Sequence, residues 1–401
     1  MRPEAFLWLL GDEGHSLLAR ATEVYAEHAG DPVGAAAALR REAGPGDPGD
    51  GAAEHAAAAL TQVDLRVRAA AKFGAEAARM YFTPDGLEQA TRARVAAHRA
   101  ARVAAAAPSS VLDVGCGIGG DLLALARAGL TVAGVDRDPV RVEVARANLA
   151  AFGLGGAVQV ADAGDLDVSG FGMVFADPAR RTARGRVLDP RHPDGWSPPW
   201  TFVLSLLEGT ACVKVAPGIP HALLPDGVEA EWVSDGGEVK EAALWSPALA
   251  TVRRRATVIR GAGLATLSDE DLPAAVEIGP VGGYLYEPDG AVVRAGLVAA
   301  VAARVGGRLP DEHIAYVTAD QAHALPFARA YEVLEELPYR ERALRAALRE
   351  RHVGRLTIKK RGVDVVPDRL RTRLALRGDA EATVVLTRVA GRGTALLVRP
   401  L

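Results

Sequence analysis

The 401 residues exceed the length of one ordinary domain, and 49% of them are apolar, enough for a large buried core. A net charge of −3 excludes a protein coated all over with nucleic acid. Two cysteines, Cys116 and Cys212, are no disulfide framework in so long a chain, and no Cys/His spacing suits zinc, so the expectation is a cytoplasmic protein with no metal.

No apolar run has the length of a membrane-spanning helix. "AFLWLL" (Ala5 to Leu10) is also too short for the apolar region of a signal peptide. Residues 1–105 are predicted to be a helical region. "AFLWLL", "HSLLARATEVYAEHA" and "AAAALTQVDLRVRAAAKF" place apolar residues at helical spacing. "AGPGDPGDGAAEHAAAA" (Ala43 to Ala59) reads as a loop between helices. "FTPDGLEQATRARVAAHRAAR" predicts a helix that starts at Thr83-Pro84, where Thr caps and Pro fits the first turn.

After Pro108 strands alternate with helices, which predicts a mostly parallel sheet over 106–275. Its strands are "SSVLDV", "TVAGVD", "AVQVADA", "GMVFADPAR" and "TACVKVAPG". "EVKEAALWS" and "ATVRRRATVIR" read as a closing antiparallel pair. A third region, 276–401, follows with "LVAAVAARVG" as a helix, "HIAYVTAD" as a strand and a β-rich end. From Val276 onward there are 20 Lys/Arg against 15 Asp/Glu, and between Arg340 and Arg377 there are 13 against 4. A basic segment thus ends a mildly acidic chain. No repeat of fixed period is present.

"VLDVGCGIGGD" runs from Val111 to Asp121. Gly115, Gly117 and Gly119 fall in a strand-to-helix turn, where the lack of a Cβ lets backbone approach a ligand. Asp136 ends the next strand, where a carboxylate can accept from both ribose hydroxyls. The spacing Gly115-x-Gly117-x-x-Gly120 also satisfies the nicotinamide fingerprint, which keeps a dehydrogenase in view. Three acids favour S-adenosylmethionine (SAM). Asp113, two residues before Gly115, would attract a methionine ammonium and repel a pyrophosphate. Asp162 ends the third strand, where it can accept from an adenine amino group while the Ala163 N–H donates to the ring. Asp177-Pro178 ends the fourth strand, a step for which a nicotinamide enzyme has no use. One such acid alone reads as well as a helix cap; three in register at strand ends do not.

The segment from Val111 to about Pro217 therefore resembles the class I SAM-dependent methyltransferases. That resemblance implies a Rossmann-like, seven-stranded α/β sheet, flanked here by the N-terminal helical region and a small C-terminal α+β domain. In amino-methylating members the end of the fourth strand carries Asp/Asn/Ser-Pro-Pro-aromatic. A conjugated amine is a poor nucleophile. A side-chain oxygen and the following carbonyl can accept its two hydrogens and turn its lone pair toward the methyl group, and Pro holds that carbonyl because its φ is fixed. The residues matching this role are Asp177 and Pro178. The chain departs from the motif at Ala179 and Arg180, so the usual stacking ring is missing. Arg180 can stack or bind a phosphate, Trp196 or Trp200 can supply a face, and Arg180 with Arg181 can equally pair with surface carboxylates.

"DPARR", the downstream "SPP", the upstream "FTPDGLEQAT" and the basic end together resemble bacterial methyltransferases with a THUMP-like C-terminal domain, similar to RNA guanine-N2 methyltransferases. The match covers about Lys72 to Leu401. It implies an RNA partner by analogy, with Phe82, Thr83 and Pro84 either closing over the cofactor or forming an N-capped helix packed on the sheet. Lys359, Lys360 and Arg361 form a cationic triplet suited to phosphates, though the one ring beside this segment is Tyr339, which gives base stacking little support. A solvated helix face is the plainer account of the same charges. The expected activity is SAM-dependent methylation of an exocyclic amino group of an RNA base. Methylation of a protein or small molecule, and a non-catalytic RNA-binding module, remain alternatives.

Overall fold

The computed structural model describes residues 3–28, 31–42, 51–178 and 199–401. The chain divides into two compact units, Met1–Val215 with Leu244–Leu249 and Ala216–Ala243 with Ala250–Leu401.

The first unit opens with helices α1 (Pro3–Leu9), α2 (Asp12–Glu27), α3 (Pro32–Glu42), α4 (Ala52–Phe73), α5 (Pro84–Gln89) and α6 (Ala93–Ala105). The loop expected over 43–59 gives way to α4 at Ala52, because the alanine run after Gly51 has high helix propensity. Thr83 caps α5 as its sequence predicts: its Oγ1 accepts the Gly86 N–H at 3.0 Å, with Pro84 in the first turn. Phe82 beside it is fully buried, and the Gln62 side chain holds both its N–H and its carbonyl. This segment is thus a packed, N-capped helix.

The alternating part follows as β1 (Val111–Val114), α7 (Gly120–Arg127), β2 (Val132–Asp136), α8 (Pro139–Ala151), β3 (Ala157–Val160), β4 (Met173–Ala176), α9 (Trp200–Leu207) and β5 (Ala211–Val215). The strand order is β3-β2-β1-β4-β5, and every neighbouring pair is parallel. β1 lies between β2 and β4, so the winding reverses there, and the carboxyl ends of these strands are where such a sheet generally takes its ligand. All four residues of β1 are buried, Asp113 included.

The second unit contains β6 (Glu229–Asp235) and, up to Ala243, β7 (Glu238–Trp245), joined through Gly236 and Gly237 at φ 65° and 88°. Two residues at positive φ match the twist of a hairpin. β8 (Arg254–Arg260) runs parallel to β6, and β9 (Gly263–Ser268) runs antiparallel to β8. The expected pairing of "EVKEAALWS" with "ATVRRRATVIR" is therefore corrected: β6 lies between β7 and β8. β6 was hidden because it is buried along its whole length with Glu229 and Glu231 inside, which erases the alternation that marks a strand.

The rest of this unit comprises β10 (Tyr284–Pro288), α10 (Gly290–Arg294), α11 (Val298–Arg304), β11 (Val317–Ala319), β12 (Ala328–Leu337), α12 (Glu341–Glu350), β13 (Val353–Lys360), α13 (Pro367–Leu374), β14 (Ala380–Val389) and β15 (Arg392–Pro400). The strands form a sheet of order β11-β10-β12-β15-β14-β13. Period-two alternation sorts its faces. Val384 and Leu386 pack with Leu344, Leu348 and Leu370 of α12 and α13, whereas Val385 between them packs with Tyr316 and Tyr331. Among the described residues no helix is long and apolar enough to cross a membrane, and no His/Cys/Asp/Glu group could hold a metal.

Candidate active site

The glycine loop leaves β1 where β2 and β4 also end. Gly115, Gly117 and Gly119 all have positive φ, at 80°, 55° and 78°, a conformation that side chains resist. Their surroundings differ. A Cβ on Gly119 would come within 3.1 Å of the Ala145 Cβ, so this glycine lets α7 pack on α8. One on Gly115 would stand 3.6 Å from the Asp177 carbonyl, and one on Gly117 would meet nothing within 4 Å. Gly117 is thus the open position. Its N–H donates to Asp136 Oδ2 at 3.0 Å, while the Asp138 N–H donates to Oδ1 at 2.9 Å. These bonds fix the Asp136 carboxylate beside the loop and leave it lone pairs for further donors. Asn148 ties the loop from behind, donating to the carbonyls of Ile118 at 2.8 Å and Tyr81 at 3.0 Å.

Asp113 faces Phe175 of β4 in register and is fully buried, and neither carboxylate oxygen has a hydrogen-bond partner. Burial, with the negative charges of Asp121, Asp177 and Asp136 around it, raises its pKa well above the usual carboxylate value, against the pull of Arg99. Asp121, at the start of α7, behaves oppositely. Burial opposes its ionisation, but the Arg99 and Lys214 charges and the Thr91 hydroxyl outweigh that and hold its pKa low. Arg99 pairs with Asp121 Oδ1, and Thr91 donates to Oδ2 at 2.9 Å. Lys214 on β5 donates to Thr91 Oγ1 at 2.9 Å and to Asp177 Oδ2 at 2.5 Å. The Arg99 guanidinium also lies 4.6 Å over the Phe175 ring. Cys116, by contrast, is held as a neutral thiol by burial and the nearby acids.

Asp162 is exposed at the end of β3, and its Oδ1 accepts the Gly164 N–H at 2.9 Å, with Ala163 opening the short turn it caps. Arg180 and Trp196 lie outside the described residues. In the second unit the cationic triplet is divided. Lys359 donates to Glu287 at 2.6 Å and lies 5.4 Å from the Tyr331 ring centre, and Arg361 lies over Tyr316 at 5.3 Å, while Lys360 is exposed.

Comparison with known proteins matches this arrangement. The family described as "Methyltransferase domain" matches residues 111–180, "THUMP domain-like" matches 328–400, and a domain of unknown function matches 2–69. A SAM-dependent methyltransferase of Mycobacterium tuberculosis, itself uncharacterized, is 39% identical over 351 residues, which is 84% of this chain and 95% of the relative. The chain belongs to the SAM-dependent methyltransferases. A putative methyltransferase of Porphyromonas gingivalis W83 shares the methyltransferase's fold, with a TM-score of 0.71 at 22% identity over 96% of this chain and 98% of that one.

The residues fit the cofactor. An orphaned carboxylate suits an ammonium, the open Gly117 suits close approach, and Asp136 is already oriented for hydroxyls. Sequence reasoning about the methyltransferase passed over Thr91, Arg99, Asp121 and Lys214. Lys214 alone had left a signal, a lysine inside the otherwise apolar strand "ACVKV".

Proposed function

We infer that this methyltransferase transfers the methyl group to an exocyclic amino group of an RNA base, with Asp177 and the Pro178 carbonyl orienting the nitrogen. The observation that carries the reading is the position of Asp177. It follows β4 directly, its carbonyl borders the glycine loop, and a quarter of its side chain is exposed. Asp177 Oδ1 would accept one N–H and the Pro178 carbonyl the other, which localises the lone pair on nitrogen. Asp113, Gly115, Gly117, Asp136, Asp162 and Ala163 would hold the cofactor, and Gly119 would set the helix spacing that shapes the loop. Bound SAM supplies an electrophilic methyl on a sulfonium. RNA as the acceptor is supported by the THUMP-like match and by the exposed cations of the second unit, Lys360 among them.

The test is transfer of radiolabelled methyl from SAM onto total RNA of a strain lacking the gene, with RNA of the parent strain as control. Label is expected in the deletion RNA and little in the control, whose sites are already methylated. Absence of label in both, by protein that binds SAM, would overturn RNA as the acceptor. Asp177→Ala should lower transfer by about 10²-fold or more while SAM affinity holds; unchanged turnover would remove Asp177 from the reaction.

A further inference from the structure

We propose that Lys214 is a positioning residue that decides which oxygen of Asp177 meets the acceptor; this rests on the role of Asp177 above. The register of β4 and β5 pairs Ala176 with Val213, so the next residues, Asp177 and Lys214, emerge side by side from adjacent strands. Every residue of β5 is buried, and the Lys214 side chain is 6% exposed. An ammonium at such depth is costly unless it is paired and hydrogen-bonded. Here Nζ is anchored from two sides, by Asp177 Oδ2 and by Thr91, which in turn is held through Asp121 to Arg99 on α6. The chain of bonds ends in rigid helices, so the carboxylate of Asp177 is fixed in rotation as well as in place. With Oδ2 committed to Lys214, Oδ1 is the oxygen presented to the acceptor. Lys214 also helps to hold the neighbouring Asp121 ionised.

This arrangement makes a specific demand on variants. In Asp177→Asn the amide must turn its carbonyl oxygen to the ammonium and its NH2 to the acceptor amine, so that two donors face each other. Adding Lys214→Met frees the amide to turn its oxygen outward. A loss should therefore be partly reversed by a second loss.

The experiment incubates full-length protein and labelled SAM with deletion-strain extract, then separates RNA, protein and small molecules. Rates are expressed per SAM-binding site, which corrects for any unfolded fraction. Lys214→Met should lower kcat for the labelled fraction by about 10²-fold with SAM affinity within about 3-fold, the scale set by misplacing a reacting group. Lys214→Gln, which keeps a donor, should retain more activity than Lys214→Met. Asp177→Asn/Lys214→Met should exceed Asp177→Asn alone. Wild-type transfer rates in Lys214→Met, or a double variant no faster than Asp177→Asn, would overturn the proposal. Label entering protein or small molecules instead of RNA would overturn the RNA acceptor and leave the order of variants to decide for or against Lys214. No label in any fraction, from protein that binds SAM, would overturn both.

Discussion

Two groups of charges distinguish this protein, and they work in opposite ways. At the carboxyl ends of β1, β2, β4 and β5 the charges are few: Asp113 has no hydrogen-bond partner, and Asp177 shares Lys214 with Thr91. Between Arg340 and Arg377 the charges are many and mostly consumed. Arg351 pairs with Glu335, Arg355 with Glu381, Arg371 with Asp368 and Arg373 with Glu341, while Arg345 and Arg349 also bind backbone carbonyls. Arg340, Arg342, Lys360, Arg369 and Arg377 remain exposed without an ion pair among the described residues. A dense run of like residues is thus weak evidence of available charge. A lone charge in an apolar strand is strong evidence of a site, because only a partner or a ligand repays its burial.

The sharpest way to break this contrast is to remove one member of the buried group. Asp121→Ala takes a carboxylate away from Arg99, whose side chain is 3% exposed. Such a deletion should cost about 3–5 kcal/mol in urea unfolding; a loss under about 1 kcal/mol would put this pair in the class of surface ion pairs. Its low pKa gives a sign as well: the Asp121 contribution is present above the ordinary carboxylate range and lost as pH falls through its depressed value.

Asp113 has the opposite sign. Its folded pKa is raised, so the folded apoprotein keeps a proton that the unfolded chain releases above about pH 4. This contribution to stability is full in acid and lost as pH rises toward the raised value. An ammonium arriving at Asp113 favours the ionised form, so SAM binding should release up to about one proton in that window and tighten with pH. Calorimetry in buffers of different ionisation enthalpy measures this directly. Asp113→Asn should abolish the proton release, weaken SAM by about 10–100-fold, the worth of one hydrogen bond to a charged group, and stabilise the apoprotein at neutral pH. Equal proton release in the variant would assign the proton to another group.

The outline of the candidate site was legible because Gly and Asp at strand ends leave a pattern at fixed offsets. The alternation of strand and helix over Val111–Val215 was legible for the same reason, through punctuation by Gly, Asp and Pro. What the sequence hid came from long range. Thr91 and Arg99 lie on or beside a helix that looks like any surface helix of alternating Ala and Arg, and only the fold carries them to Asp121. β6 was hidden by its interior glutamates; Glu229 is satisfied by the backbone of Thr251 at 2.9 Å and by Arg255 at 2.8 Å. Lys359 looked like its neighbour Lys360, yet β13 turns alternate residues to opposite faces. Lys359 sits opposite Val385, on the tyrosine side, and Lys360 opposite Leu386.

That division of the triplet gives the smallest and most selective expected effect. If the second unit binds RNA, the cations that matter are the exposed ones without ion pairs, not the conspicuous ones. Lys360→Ala with Arg377→Ala should leave the urea midpoint nearly unchanged and lower the slope of log affinity for RNA against log salt by about 1 for each phosphate that goes unneutralised. Arg355→Ala should do the reverse, costing up to about 1 kcal/mol of stability through its exposed pair with Glu381 and leaving the salt slope little altered. A salt slope that responds equally to all three substitutions would mean that the paired arginines open to meet RNA, and the contrast between consumed and available charge would then hold only for the free protein.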